Sequence, residues 1–299
     1  MMILRLTILT IFLLAGSFIS AFGAESIKFK PLTAAYQDQN NIPLKYPEGV
    51  TWDKSTVFVA DTGNARIVRY NLVNDDLKDG TEIKIEQLTS PIRLKMTVKG
   101  DLLALDGKSH KIARINNGTL VGFLDPQKVT SPEDFVPRSM AVDSKDNIYL
   151  ADILGERILV LDPAGVFIRN IPFPAGYGYI ADVTVDSKGN VFIIDSFKSE
   201  VLRAAPSDTS FTSITKDLDT YLYFAVSIDT DPLGRIYLLD QNDNGLVIVG
   251  QDGKFLGRFL NGGWKTGQLD YPAQGSLSNN GIYAIADRNN NRLQLFKKQ

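Results

Sequence analysis

The chain has 299 residues, 44% of them hydrophobic and 22% charged, with one histidine and no cysteine. This is an ordinary composition for a folded chain, and a formal net charge of −2 offers no basic surface to nucleic acid or to an anionic membrane. The absence of cysteine excludes a disulfide framework, a thiol nucleophile, a lipid-modified cysteine and a c-type haem attachment, and a single histidine excludes a histidine-rich zinc site.

Residues 1–24 carry one positive charge at Arg5, an apolar run from Leu6 to Phe22, and small residues at Ala21, Gly23 and Ala24. That is the pattern of a secretory leader cleaved just after Gly23 or Ala24. An uncleaved anchor is the other reading, since the apolar run is near the lower length limit for spanning a bilayer. Small residues close the run where Lys or Arg would flank an anchor, which favours cleavage. Residues 25–299 then read as one domain, secreted or periplasmic, with no stable membrane insertion after cleavage.

The alternating segment Ile27–Leu32 reads as a short strand that has no partner in its own neighbourhood. From Tyr46 onward the sequence repeats. An apolar run ending in aspartate recurs at Asp61, Asp106, Asp152, Asp195, Asp240 and Asp287, at intervals of 43 to 47 residues. Each unit begins with a strand a: Gly49–Trp52, Leu94–Thr97, Met140–Val142, Val183–Val185, Val226–Ile228 or Gly275–Leu277. A polar turn such as 143–147 or 186–190 leads into strand b, the apolar run, which shows almost no alternation and so is expected to be covered on both faces. Strand c follows at Arg66–Tyr70, Lys111–Ile115, Arg157–Leu161, Val201–Ala204, Leu246–Val249 and Arg292–Phe296. An outer strand d is expected at Glu82–Leu88, Thr119–Phe123, Val166–Ile171, Phe211–Thr215 and Lys254–Phe259.

Four short strands at this period select a propeller over a solenoid. The sixth unit stops at Gln299 without an outer strand, and Ile27–Leu32 is expected to take that place. The predicted fold is therefore all-β: a six-bladed β-propeller of four-stranded antiparallel blades, with the ring closed by the N-terminal strand joining the last blade.

The run Pro47-Glu48-Gly49-Val50 with Trp52-Asp53, followed by Val57–Asp61 and by Asp61-Thr62-Gly63-Asn64-Ala65-Arg66-Ile67, resembles the NHL repeat, and the likeness extends over roughly residues 46–298. Units one and six carry the whole Asp-x-x-Asn-x-Arg pattern, as Asp61, Asn64, Arg66 and Asp287, Asn290, Arg292. Unit three keeps Asp152 and Arg157, unit two has Asp106, Ser109 and Lys111, and units four and five keep only Asp195 and Asp240. The resemblance implies a six-bladed propeller whose work lies among interaction platforms, extracellular sensors and lyases. Residues 47–53 are also similar to the first-blade segment of calcium-dependent lactonase and gluconolactonase propellers. That second resemblance implies Glu48 as a metal ligand, with Asp182 as the other carboxylate of the mouth and Ca2+ as cofactor. The chain departs from that pattern, because no Asn starts the other blades and Arg93 and Arg138 stand nearby, whereas calcium takes about six to eight oxygen ligands.

A residue present once per blade answers a need that every blade has. Asp61, Asp106, Asp152, Asp195, Asp240 and Asp287 are accordingly read as structural, accepting N–H bonds in the turn that follows, with a charge pair where Arg66, Arg157 or Arg292 is available. Function is sought where the blades differ. At the start of strand a the first position holds Glu48, Ile92, Arg138, Ala181, Phe224 and Ala273, and the second holds Gly49, Arg93, Ser139, Asp182, Ala225 and Gln274. Tyr177, Tyr179, Tyr221, Tyr223 and Phe224 gather in the loops before units four and five, and Trp264 lies before unit six.

These positions suggest a channel mouth in which Arg93 and Arg138 hold an anionic group, Glu48 and Asp182 add carboxylates, and Tyr179, Tyr223, Phe224 and Trp264 supply contact area. Solvated loop ends and inter-blade packing are the other reading of the same residues. His110 reads as an exposed loop residue, and no catalytic residue is assigned. The expected function is a binding or interaction module for a protein or small ligand, without a cofactor. The alternative is a divalent-metal-dependent hydrolase or lyase.

Overall fold

The computed structural model describes residues 27–129 and 135–299; the expected leader, 1–24, lies outside them. Blade one is formed by β2 (Val50–Asp53), β3 (Thr56–Asp61), β4 (Arg66–Val73) and β5 (Asp76–Ile83). Blade two has β6 (Pro91–Met96), β7 (Leu102–Asp106), β8 (Ile112–Asn116) and β9 (Thr119–Phe123), and blade three has β10 (Pro137–Val142), β11 (Ile148–Asp152), β12 (Arg157–Leu161) and β13 (Phe167–Pro172). Blade four has β14 (Ile180–Val185), β15 (Val191–Asp195), β16 (Glu200–Ala204) and β17 (Thr212–Ser213). Blade five has β18 (Ala225–Thr230), β19 (Ile236–Asp240), β20 (Gly245–Val249) and β21 (Phe255–Phe259). Blade six joins β22 (Gln274–Leu277), β23 (Ile282–Asp287) and β24 (Arg292–Lys298) to β1 (Phe29–Ala35), which supplies the outer strand and closes the ring.

The apolar b strands lack alternation because both of their faces are covered. Ile193 packs toward blade three, while Phe192 and Ile194, its neighbours on the same strand, pack toward blade five. The core is accordingly divided among six clusters, one between each pair of adjacent blades.

Three predicted strands move. The outer strand of blade one is Asp76–Ile83 rather than Glu82–Leu88, because Asn74 and Asp75 both take positive φ (51° and 62°) and turn the chain straight back on β4. Two such residues in succession make a primed hairpin turn. The closing strand is Phe29–Ala35 rather than Ile27–Leu32, with a register shift between Pro31 and Thr33. An outer strand tolerates proline, since its free edge needs no ladder donor. In blade four only Thr212 and Ser213 of the predicted Phe211–Thr215 pair with β16.

The six repeated aspartates are all buried. Each accepts N–H groups from the segment leading into its own blade as well as from the turn after it. Asp61 accepts from Lys45 N at 2.6 Å, Asn64 Nδ2 at 2.8 Å and Arg66 Nε at 2.7 Å, and Asp195 accepts from the backbone of Gly178, Tyr179, Phe197 and Lys198. These bonds pin the d–a loops against the b–c loops and so fix the height of every loop on this face. Blade five lacks the strand-c arginine and has Gly245 there instead. Arg258, from β21, reaches over that glycine to Asp240 at 3.2 Å, and a Cβ at Gly245 would collide with its guanidinium.

On the opposite face the hairpin turns carry a second family of aspartates. Asp231 binds Arg235 Nε at 2.7 Å, the Tyr237 hydroxyl at 2.9 Å and Lys298 Nζ at 3.2 Å. Burial, the largest influence, pushes its carboxyl up, but those bonds outweigh burial and hold it below the ordinary carboxylate range. A depressed carboxyl stabilises the fold above the unfolded-state value, near pH 4, and that contribution is lost as the pH falls through the folded value. Asp231→Asn is expected to lower stability at pH 7 by about 1 to 3 kcal/mol. It should also make the loss of stability below about pH 4 shallower. Denaturant midpoints from pH 3 to 7 measure both, and parallel curves for parent and variant would refute the assignment.

Candidate functional site

The inner strands line a central channel. At the face where they begin, the geometry separates the predicted residues into four groups. Glu48 is ion-paired to Arg288, Oε1 to Nε at 3.1 Å, and the Arg288 guanidinium lies 5.2 Å from the centre of the Tyr46 ring and 5.7 Å from that of Tyr271. Arg138 lies over Tyr179, with its guanidinium carbon 4.0 Å from the ring centre. Tyr179 in turn meets Phe197 and Phe224 at centroid distances of 5.4 and 5.6 Å, and those two rings are 5.9 Å apart. Cation and rings therefore form one aromatic platform spanning blades three to five, and Phe197 remains 69% exposed at its top. Tyr223, 64% exposed, follows on the next loop, with its backbone N–H donated to Asp240.

Asp182 and Arg93 lie deeper. Asp182 is fully buried; its carboxylate accepts the Ser139 hydroxyl from blade three, Val183 N at 2.9 Å, and Ile228 N from blade five at 2.8 Å. It is a strut across three blades. Arg93 extends from blade two to the Val226 carbonyl on blade five, Nη2 to O at 3.3 Å, while its Nη1 donates to the Ile92 carbonyl at 3.1 Å. The two predicted anion-holding arginines thus engage different partners, one across the channel and one on the aromatic platform. Trp264 is 75% exposed and sits apart from the platform; its carbonyl accepts from Arg292 at the edge of blade six.

The predicted alignment of the channel mouth is corrected at blade five. Blades two to five start with a bulge, at Pro91/Arg93, Pro137/Ser139, Ile180/Asp182 and Ala225/Ser227. The equivalents in blade five are therefore Val226 and Ser227, not Phe224 and Ala225. A proline marks the bulge in blades two and three, and blade five offers no such marker. Phe197 and Arg288 lie in b–c loops, which the repeat marks as turns; the sequence signal for Phe197 is that among those loops only the fourth carries a Phe, Tyr or Trp.

Calcium does not fit the predicted pair of ligands. Glu48 is ion-paired to Arg288, Asp182 is held by Ser139, Val183 and Ile228, and no group of three His, Cys, Asp or Glu converges among the described residues.

Fold and site together define a class, the six-bladed β-propellers with pinned loops around a channel mouth. No family model matches the chain, and no curated protein does. Solved structures do match. A streptogramin B lyase is 14% identical with a TM-score of 0.64, over 91% of this chain and 98% of that one. A gluconolactonase from Xanthomonas campestris is 12% identical with a TM-score of 0.66, over 92% and 91%. A chain of a nidogen–laminin complex is 17% identical with a TM-score of 0.61, over 73% and 81%. At these identities the likeness is one of fold. No helix among the described residues is long and apolar enough to cross a membrane.

Proposed function

We propose that the chain is an exported propeller of NHL type that works as a binding module, engaging a protein or small ligand on the face where the inner strands begin. The observation that carries this reading is the aromatic platform of Arg138, Tyr179, Phe224 and Phe197, built on pinned loops and left open to water. Rigid aromatic and arginine side chains offer large contact area at low entropic cost, which is why they anchor interfaces. The leader pattern of residues 1–24 supports export, and the Asp–Asn–Arg bonds of blades one and six support the NHL assignment.

Selection of a random-peptide library on residues 25–299 tests the binding surface. Enriched peptides are expected to protect residues 177–179, 196–199 and 221–224 in hydrogen exchange. Phe197→Ser combined with Tyr223→Ser should weaken them about tenfold, or about 1.4 kcal/mol. Both side chains are exposed, so the variant should fold normally. A footprint elsewhere would overturn the reading.

A second reading, a metal-assisted hydrolase or lyase, is favoured by the names of the structural neighbours. Its first requirement is convergent oxygen ligands with an open position. Calorimetric titration with Ca2+ and Zn2+ is expected to give no saturable heat at this mouth. Tight binding in the parent that disappears in Glu48→Ala would restore the enzyme reading, and lactones and esters would be the next substrates to assay.

A further inference from the structure

The six inner strands share one register, so side chains two residues apart form successive layers along the channel. The upper layer contains Arg93, Ser139, Asp182, Ser227 and Gln274 together with Gly49. Arg93 crosses to the opposite blade, Gln274 Oε1 accepts from Val50 N at 3.0 Å, and Asp182 ties blades three, four and five. This layer cross-links the blades above the next one.

The next layer holds one residue per blade in the order Thr51, Lys95, Ala141, Thr184, Asp229, Ser276. It lines an open pocket of about 190 Å³ at the hairpin-turn face, with Lys54 at the rim. That volume admits roughly six water-sized groups. Lys95 and Asp229 stand on blades two and five, which face each other across the axis. Asp229 accepts Leu277 N and Thr230 N, each at 2.8 Å, which leaves lone pairs on both oxygens. Asp229 is half-buried at the pocket wall and, like the buried Asp106, Asp182 and Asp195, it is held by N–H or O–H donors alone. Asp61, Asp152, Asp231, Asp240 and Asp287 each have an arginine within 3.2 Å, whereas among the described residues Asp229 has no ion pair and Lys95 has neither ion pair nor hydrogen bond. Burial pushes the Asp229 carboxyl up, and Lys95 only partly offsets this from across the pocket.

A pocket with an unpaired carboxylate on one wall, an unpaired ammonium on the opposed wall and a second lysine, Lys54, at its open rim is complementary to a molecule that carries both signs. An anion alone would satisfy Lys95 and meet Asp229, a cation would do the reverse, and an uncharged polyol would leave both unneutralised at a cost in desolvation. We propose that this pocket binds a small zwitterion, with its anionic group at Lys95, its ammonium at Asp229, and the hydroxyls of Thr51, Thr184 and Ser276 around the atoms that join them. The site lies at the opposite end of the channel from the aromatic platform and does not depend on it.

Thermal unfolding of residues 25–299 with glycine, β-alanine, 4-aminobutyrate and 6-aminohexanoate, each at about 10 mM, tests it by mass action on the folded state. One or more of the four should raise Tm in a saturable way, whereas butyrate, butylammonium and glycerol should not. Lys95→Met and Asp229→Asn should each weaken the response at least about tenfold. Lys95 is partly exposed, so Lys95→Met should melt like the parent without ligand, and this covers any folding loss in Asp229→Asn. The proposal is overturned if no zwitterion of the series raises Tm, if singly charged analogues act equally well, or if the response survives in Lys95→Met.

Discussion

Arg292→Ala is expected to lower the unfolding free energy by about 3 to 5 kcal/mol, the cost of breaking a buried ion pair by removing one partner. Arg292 is 1% exposed and is among the largest fully buried side chains. Its Nε donates to Asp287 at 2.7 Å, Nη1 to the Tyr36 hydroxyl at 3.1 Å and the Trp264 carbonyl at 3.0 Å, and Nη2 to the carbonyls of Lys265 and Gln268 at 2.9 and 2.7 Å. One guanidinium thus satisfies a buried carboxylate and three backbone acceptors of the loop before blade six. Alanine would leave all of them without that donor. Burial already pushes the Asp287 carboxyl up despite Arg292, so the variant should lose further stability as the pH rises and Asp287 is forced to ionise. Arg292→Lys keeps the charge but not the planar fork, and should recover only part of the loss. Guanidinium denaturation with m unchanged measures both. A loss below about 1 kcal/mol for the alanine variant would show that the network is solvated in solution and would sink this account.

Arg292 also illustrates what was legible in advance. The aspartate at the end of each b strand and the arginine five residues later are local, so their pairing in blades one, three and six could be read from spacing alone. The blade count, the strand order and the closing role of the N-terminal segment follow from the same period. What escaped was assembled from distant parts of the chain. Arg66 also binds Asp38 at 2.6 Å, a partner from the segment before the first unit, and Asp240 takes its guanidinium from an outer strand because Gly245 makes room. The outer strand of blade one was misplaced because two residues at positive φ turn the chain sooner than the repeat suggests. At the mouth, the side-chain engagements leave no trace in the sequence: Glu48 carries no sign that Arg288, 240 residues away, will neutralise it. The lower pocket needs one residue from each of six blades in register, and a hidden bulge in blade five is enough to spoil that alignment by eye.

Removing residues 25–33 is expected to cost at least about 3 kcal/mol and to weaken blade six more than any other. β1 pairs with β24 from Phe29↔Lys298 to Ala35↔Leu293, so its loss strips the ladder partner from a strand whose other side holds β23. Phe29 goes with it. Its ring sits 5.4 Å from Phe259 and 6.5 Å from both Tyr237 and Tyr283, where it covers the cluster between blades five and six. The truncated chain would expose an unpaired edge beside an apolar surface, the combination that promotes association, so concentration-dependent aggregation should accompany the loss. Hydrogen exchange separates this from general weakening: amides of β22, β23 and β24 should lose protection first, while those of blades three and four retain it. Blade six as protected as in the parent would count against closure by β1. Because the missing element is one strand on an open edge, a peptide of residues 25–36 added in trans should pair with β24 and restore protection there. A peptide with Phe29→Ser should restore it less, since it brings back the ladder without the ring that seals the two blades together.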